Sequence, residues 1–487
     1  MNADKYLRVE VEFTLTLQSD MHIGDGDSQA FYERGSAEML VRHNLEGDPT
    51  EFKGEFSSVI VDIDKHPYIP GSALRGWLRQ NCEDAALQKT FFGGQDGERF
   101  DAGALRVADA RLSAAVPAND NLPYFDKKRG TAIAHGVAID AVTGAAAEHK
   151  LFRWEYVPKH TTFKGSVRLQ PPAITGCVFR SQIQQLIELL HKLDGGDEAA
   201  LGAKLSAGMG RICISDIQVM GVQLRQAQQK LDKLERQPIT GLDIEGTKPA
   251  VTQQSIALLL QFDAPFLVNE AARRPPGGRP DDQPKANQNF QRDENGNAKI
   301  PGTSLRGLAR GHAEKILRTK LVALGETIDD ANKIVKQESA KLFGTERQRS
   351  LLFFTDAIAA TTQPHAQTFN AIDRFTGGVA HGKLFSAQAV APCTATFTVR
   401  ATAALADWQK GWLLWLARDA AEGMLSIGWG KGKGFGAFLL RESRAEHKFQ
   451  SRWWAPGQAW LQAFDDEVVK LSLKPDQINT SFGVSHE

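Results

Sequence analysis

"YIPGSALRGWLR" (68–79) and "KIPGTSLRGLAR" (299–310) are one sentence written twice in a chain of 487 residues. Each places Ile, Pro, Gly, a hydroxyl residue, Leu, Arg, Gly and a second Arg in the same order. Pro-Gly makes a tight turn, and the Ser or Thr just after it stands where a helix N-cap would stand. Leu74 and Leu305 are the first inward anchors. Arg75 and Arg79 are spaced to share one helix face, and Arg306 and Arg310 repeat the spacing. A helix N-terminus offers unpaired N–H groups and the positive end of its dipole, and glycine admits a bulky anion. The pattern predicts a phosphate grip built from Gly71, Ser72, Arg75 and Arg79, and again from Gly302, Thr303, Arg306 and Arg310. The competing reading of the same residues is a capped helix with solvated arginines.

Around the two sentences, further pairs recur in the same order. LQSD (17–20) answers LQFD (260–263), TFFGG (90–94) answers KLFGT (341–345), and ALRVADARL (104–112) answers LLFFTDAIA (351–359). GVAIDAVTGAA (136–146) answers FNAIDRFTGGV (369–379), KLFRWEYVP (150–158) answers KLFSAQAVAP (383–392), and LSAGMGR (205–211) answers LSIGWGK (425–431). The offsets drift between 220 and 251 without reordering, as a duplication with loop insertions would leave them. The first copy spans about 5–220 and the second about 255–442. Between them, 221–237 has helical composition and 238–254 reads as a linker. The tail, 443–487, holds a helix pattern with Trp453, Trp454 and Trp460 and no counterpart in the first half. Each copy runs strand, helix, strands, helix, strand, with Leu7–Leu17 alternating as a half-buried strand should. That order predicts an α+β fold of two tandem ferredoxin-like or RRM-like domains with insertions.

Hydrophobic residues make up 42% and charged residues 24%, the balance of a soluble globular chain. No apolar run would span a bilayer and the N-terminus lacks the order of a signal peptide. Four scattered cysteines argue against a structural zinc site or a disulfide framework and fit a reducing, cytoplasmic setting. With 58 basic and 58 acidic residues, the global field announces no nucleic acid, so any basic groove must be local. GWGKGKGFG (428–436) is such a place: Lys431 and Lys433 supply charge, glycines let a backbone approach, and Trp429 and Phe435 can stack on bases. The alternative is a glycine-rich turn before the last strand. The run has no Walker order.

Taken together, IPG-[ST]-x-L-R-G, AID-x-x-TG-x-A and the late G-x-G-[KR] resemble the RAMP superfamily of CRISPR proteins. More narrowly, each copy resembles the RNA-backbone subunit of type III effector complexes, and the tandem resembles the double-domain proteins of III-D variants. The resemblance implies a modified RRM fold stacked along a guide RNA, with a hairpin from each domain displacing a base at regular intervals. It implies as partners the guide RNA, target RNA, other RAMP backbone subunits and the large and small subunits of the complex. It also implies target cleavage by a loop aspartate with Mg²⁺ or Mn²⁺. Asp281 and Asp282 are the candidates in the second copy, and Asp25 and Asp27 in the first, with Asp27 and Asp282 as metal ligands. Glu55-Phe56 stands where the first copy would be expected to carry its aspartate, which puts cleavage there in question; Asp48 is a further candidate. Asp109, Asp356, Asp140 and Asp373 read as turn caps. His22 and His66 lie near the site and read as packing or surface residues. A non-cleaving scaffold is the alternative. A guide-processing endonuclease is a further one, for which His312 is the histidine in place.

Overall fold

The computed structural model describes residues 5–33, 51–96, 99–117, 121–122, 124–139, 146–170, 178–194, 200–225, 233–244, 255–270, 288–345, 348–380, 385–442 and 450–473. Arg8–Leu17 (β1) buries Val9, Val11, Phe13, Leu15 and Leu17, because alternate side chains of a strand face one side. The chain continues through α1 (Gly71–Gln80) and α2 (Ala85–Phe92) and returns as β2 (Ala110–Ala114) and β3 (Thr162–Leu169). It crosses in α3 (Arg180–His191) and closes with β4 (Ile212–Arg225). Side by side the strands run β4–β1–β3–β2, all antiparallel, the ferredoxin-like order. Leu74 and Leu78 of α1 and Ile183, Leu186 and Ile187 of α3 cover the apolar face of this sheet.

The second half repeats the arrangement. Ser255–Phe262 (β5) leads into α4 (Gly302–Ala323) and α5 (Ile328–Phe343). Ala357–Ala359 (β6), Thr394–Ala401 (β7), α6 (Asp407–Ala421) and Phe438–Glu442 (β8) follow. The order is β8–β5–β7–β6, again antiparallel. The protein is thus α+β, two tandem ferredoxin-like domains. Each domain carries an inserted sheet containing a hairpin: Ala132–Ile139 with Ala146–Tyr156, and Pro364–Phe369 with Phe385–Val390. A parallel pairing anchors each hairpin, Trp154 with Ser57 in the first, and Gln288 and Asn289 with Ala387 and Gln388 in the second.

One expectation changes. Residues 221–237 are not helical where described: β4 runs on to Arg225 and pairs with a strand at Lys233–Pro238. The open edge of β4 offers a row of N–H and C=O groups, and pairing with it outweighs the helix propensity of a short segment. The tail forms α7 (Gln450–Ser472), and its Phe464 and Val468 complete the second core, with the Phe464 ring stacked on Trp412 at 6.0 Å.

The two domains meet along a polar joint. Lys299 of the second lies 3.4 Å from Asp20 of the first and 3.4 Å from Asp356 of its own domain. Burial by itself would lower the Lys299 pKa, but the two carboxylates outweigh it and hold the ammonium well above its ordinary value.

Candidate nucleic-acid interface

Pro70 and Pro301, with φ of −58° and −60°, stand at the N-caps, and Gly71 and Gly302 are the first helical residues. Ser72 and Thr303, expected at the caps, lie two positions past them, inside the first turn. The cap is supplied across the fold. Asp109 Oδ1 accepts the Gly71 N–H at 2.8 Å, and Asp356 Oδ1 accepts the Gly302 N–H at 2.8 Å. The anion that each helix start attracts is therefore a carboxylate of the protein itself. The glycines are needed for the same close fit. A Cβ on Gly71 would lie 2.4 Å from the Val107 carbonyl oxygen, and one on Gly302 would lie 2.4 Å from that of Phe354.

The arginines point to another helix end. Arg75 Nη2 donates to the Phe92 carbonyl at 2.6 Å, and Arg306 Nη2 donates to the Phe343 carbonyl. These carbonyls end α2 and α5 just before Gly93 and Gly344, where φ is 73° and 74°. A cation there satisfies an orphan carbonyl and the negative end of the dipole. Arg310 adds a bond to the Gly344 carbonyl at 3.1 Å and pairs with Glu314 at 2.8 Å. Burial, then Arg310, lowers the Arg306 pKa. Arg79 is exposed.

The glycine segment aligns differently from its letters. Gly202, Gly208 and Gly210 have φ of 97°, 81° and 76°, and Gly428, Gly434 and Gly436 have 88°, 85° and 74°. Matching bonds run from Ala203 N–H to the His22 carbonyl and from Trp429 N–H to the Leu267 carbonyl. The register is six residues away from the LSAGMGR–LSIGWGK match, because left-handed backbone rather than residue identity defines the turn. Between the glycines lie 3₁₀ turns, Leu205–Ala207 and Lys431–Lys433. Lys431 and Lys433 are exposed. Phe435 is 2% exposed and belongs to the core, while half-buried Trp429 meets Phe369 and Phe385 edge-on at 5.7 and 5.9 Å. The Lys433 ammonium lies over the Phe369 and Phe385 rings at 5.1 and 5.3 Å. Lys204 lies over Phe152 and Trp154 at 5.0 and 4.2 Å in the first domain. In each domain a lysine of the glycine turn rests on the aromatic root of the hairpin.

The hairpins carry residues that pattern reading passed over. Phe375 is 92% exposed at the second tip, beside exposed Arg374, Ile372 and Val379. Val137 and Ile139 are exposed on the first hairpin, and Asp140, Thr143 and Gly144 lie outside the described residues. Asp373 caps the second turn, accepting from Phe375 N–H at 3.0 Å and Thr376 N–H at 2.8 Å. Bonds from Thr376 and Phe375 lower its pKa.

Asp25 and Asp27 are exposed. Ser58 Oγ lies 2.8 Å from both Asp25 carboxylate oxygens, and Asp27 N–H donates to Asp25 Oδ1 at 2.9 Å. Two adjacent carboxylates match what Mg²⁺ takes when RNA phosphates complete its shell. Among the described residues no third acidic, His or Cys side chain joins them. Behind them His22, 5% exposed, has Nδ1 2.6 Å from the Glu155 carbonyl, and burial lowers its pKa. Glu155 is fully buried and held by Arg129 at 3.2 Å and Thr131 at 2.6 Å. Asp48, Asp281 and Asp282 lie outside the described residues. His66 is exposed, and His312 is bound to Asp419 at 2.8 Å. Among the described residues no helix is long and apolar enough to cross a membrane.

No curated protein matches the chain. The profile of the RAMP superfamily matches it over residues 14–213 and 276–438, most of both domains. With the same strand order, the same aspartate-capped helix start and the same glycine turn in both matched regions, the chain belongs to the RAMP superfamily.

Proposed function

We propose that the chain is a guide (CRISPR) RNA-binding backbone subunit of a type III effector complex, one that fills two adjacent positions and cleaves complementary target RNA. RAMP membership supports the coarser reading, a CRISPR-associated RNA-binding subunit. The observation that carries the finer one is the repeated hairpin, with an exposed apolar surface and, in the second domain, Arg374 beside Phe375 at the tip. Aromatic and cationic groups in pairs suit a splayed strand, since stacking tolerates any base and arginine meets its phosphate. The unused N–H groups of Arg75, Arg79, Arg306 and Arg310, with Lys431 and Lys433, are the proposed phosphate contacts. Cleavage is assigned to Asp25 and Asp27 in the first domain and Asp281 and Asp282 in the second, one carboxylate taking the proton of the attacking 2′-hydroxyl. A Mg²⁺ or Mn²⁺ ion bound at Asp27 or Asp282 would neutralise charge developing on the phosphate. One observation favours a non-cleaving scaffold for the first domain: Ser58 and the Asp27 amide already engage both oxygens of Asp25.

The test is incubation of the assembled complex with matched RNA and Mg²⁺. Evenly spaced cuts, lost in part in Asp25→Ala/Asp27→Ala and in Asp281→Ala/Asp282→Ala, support cleavage. Tight binding without cuts assigns the scaffold. Arg374→Ala/Phe375→Ala should weaken RNA binding by about 1–3 kcal/mol and reduce the slope of log K against log salt by about 0.7. Unchanged affinity and slope would remove the hairpin from the interface.

A further inference from the structure

At the root of the first hairpin two opposite charges are buried together. Glu155 is fully buried and Arg129 is 7% exposed. Arg129 Nη1 lies 3.2 Å from both Glu155 carboxylate oxygens, and Thr131 Oγ1 donates to Oε1 at 2.6 Å. Taking such a pair out of water costs free energy that apolar side chains of similar volume would not. The second domain builds its hairpin without one. The bridges Met21–Val157 and Phe266–Val390 set Gln388 in the place of Glu155. The pairings of Gly24 with Val59 and of Asn269 with Phe290 set Asn289 in the place of Ser58. A hairpin of this kind therefore folds with neither residue, and the buried pair needs another reason.

That reason lies in what Glu155 holds. Its Oε2 accepts the Val59 N–H at 3.1 Å, and its main-chain carbonyl accepts from His22 Nδ1 at 2.6 Å. One residue thus grips both chain segments that frame the first domain's carboxylates, for His22 stands shortly before Asp25 and Val59 directly follows Ser58. Ser58 is fully buried, and its Oγ lies 2.8 Å from Asp25 Oδ1 and Oδ2 and 3.3 Å from the Asp27 carbonyl. A hydroxyl has a single proton, so it holds the carboxylate by one oxygen at a time and leaves lone pairs on both. The Asp27 N–H fixes the same carboxylate at 2.9 Å. Asp25 is exposed, yet its orientation is set by buried contacts that begin in the hairpin and run from Glu155 to Val59 and Ser58.

We infer that Glu155 is a positioning residue for the first domain's carboxylates: it fixes Val59 and Ser58, and so holds Asp25 in one orientation beside Asp27, where the two can share a divalent cation. Groups that hydrogen-bond a ligating carboxylate set its direction, and losing one lowers metal affinity about 10–100-fold. This rests on the proposed cation-binding role of Asp25 and Asp27, and it holds whether the ion cuts RNA or clamps it.

Mn²⁺ titration of the full chain without RNA, with the free ion read by electron paramagnetic resonance, tests it. The site is defined by the binding lost in Asp25→Ala/Asp27→Ala. Two variants of equal charge and similar volume isolate the role of Glu155. In Arg129→Met/Glu155→Gln the side-chain amide oxygen can still accept the Val59 N–H, and affinity should stay close to that of the unaltered chain. In Arg129→Met/Glu155→Leu no acceptor remains, and affinity should fall by about tenfold or more. Should the Leu variant not fold by circular dichroism, Glu155→Asp keeps the charge beside Arg129, withdraws the acceptor from Val59 and should lose affinity in the same way. Ser58→Ala should lose as much, and adding it to the Leu variant should lose nothing further, because both act through one contact. With no metal present, the Asp27 amide should exchange faster in both. Equal affinity in the Gln and Leu variants, an indifferent Ser58→Ala, or additive losses would each overturn the inference. Mn²⁺ binding that Asp25→Ala/Asp27→Ala leaves intact would instead remove the cation site itself, and the positioning role with it.

Discussion

Asp109 and Asp356 are the residues on which the repeated helix start depends. Their place at the end of a strand was readable in the sequence, but their partners were not. A cap drawn from 38 or 54 positions away leaves no local pattern, and so the nearby hydroxyls of Ser72 and Thr303 read as caps. Asp109→Ala and Asp356→Ala should each cost about 0.5–2 kcal/mol in denaturant unfolding, with Asn retaining most of the stability. A second residue-scale effect is set by His135, stacked on Tyr124 at 5.3 Å at the root of the first hairpin. Burial, helped by Arg153, pushes its pKa down from 6.5 to about 4. A depressed histidine favours the folded state above its unfolded pKa and loses that advantage as pH falls. Between pH 6.5 and 4 the hairpin should lose stability on the order of 3 kcal/mol. Amide exchange of residues 132–139 at pH 7 and pH 5 measures this, and His135→Phe should flatten the difference.

At the scale of elements, the two glycine turns separate intrinsic backbone cost from the cost of a contact. Gly434 has φ of 85° with open space around its Cβ direction, whereas Gly208 has φ of 81° and the Phe354 carbonyl oxygen 2.7 Å away. Gly434→Ala should therefore cost only the left-handed conformation, about 1–2 kcal/mol. Gly208→Ala should cost more in the same unfolding measurement, because the joint must open to admit a methyl group. Equal losses would show that the first domain's glycine turn is not packed against the second domain in solution. The helix pairs behave alike. Arg75→Ala and Arg306→Ala each strand a helix-ending carbonyl, at about 1–3 kcal/mol by the same measurement. The alternation of β1 was legible because burial of one face imposes it. The strand at Lys233–Pro238 was not, because an edge partner decided it.

For the whole molecule, the joint is the quantity of interest. Lys299→Met would leave Asp20 and Asp356 without their cation and should weaken the joint by a cost on the order of 3 kcal/mol. Faster amide exchange at 205–208 and 302–306 would report it, and adding Asp20→Leu should restore part of the protection. By itself the sequence determined the duplication, the α+β class and the family. Order of motifs, period of burial and repeated Asp and Gly survive as letters, since each answers to its own neighbourhood. Only the tertiary structure decided what the twelve-residue sentence does. Its glycine fits against a neighbouring carbonyl, its arginine closes another helix, and its second copy is the seat for the first domain's turn. Those roles are set by residues tens to hundreds of positions away, and a one-dimensional pattern carries no record of such pairings until packing brings them together.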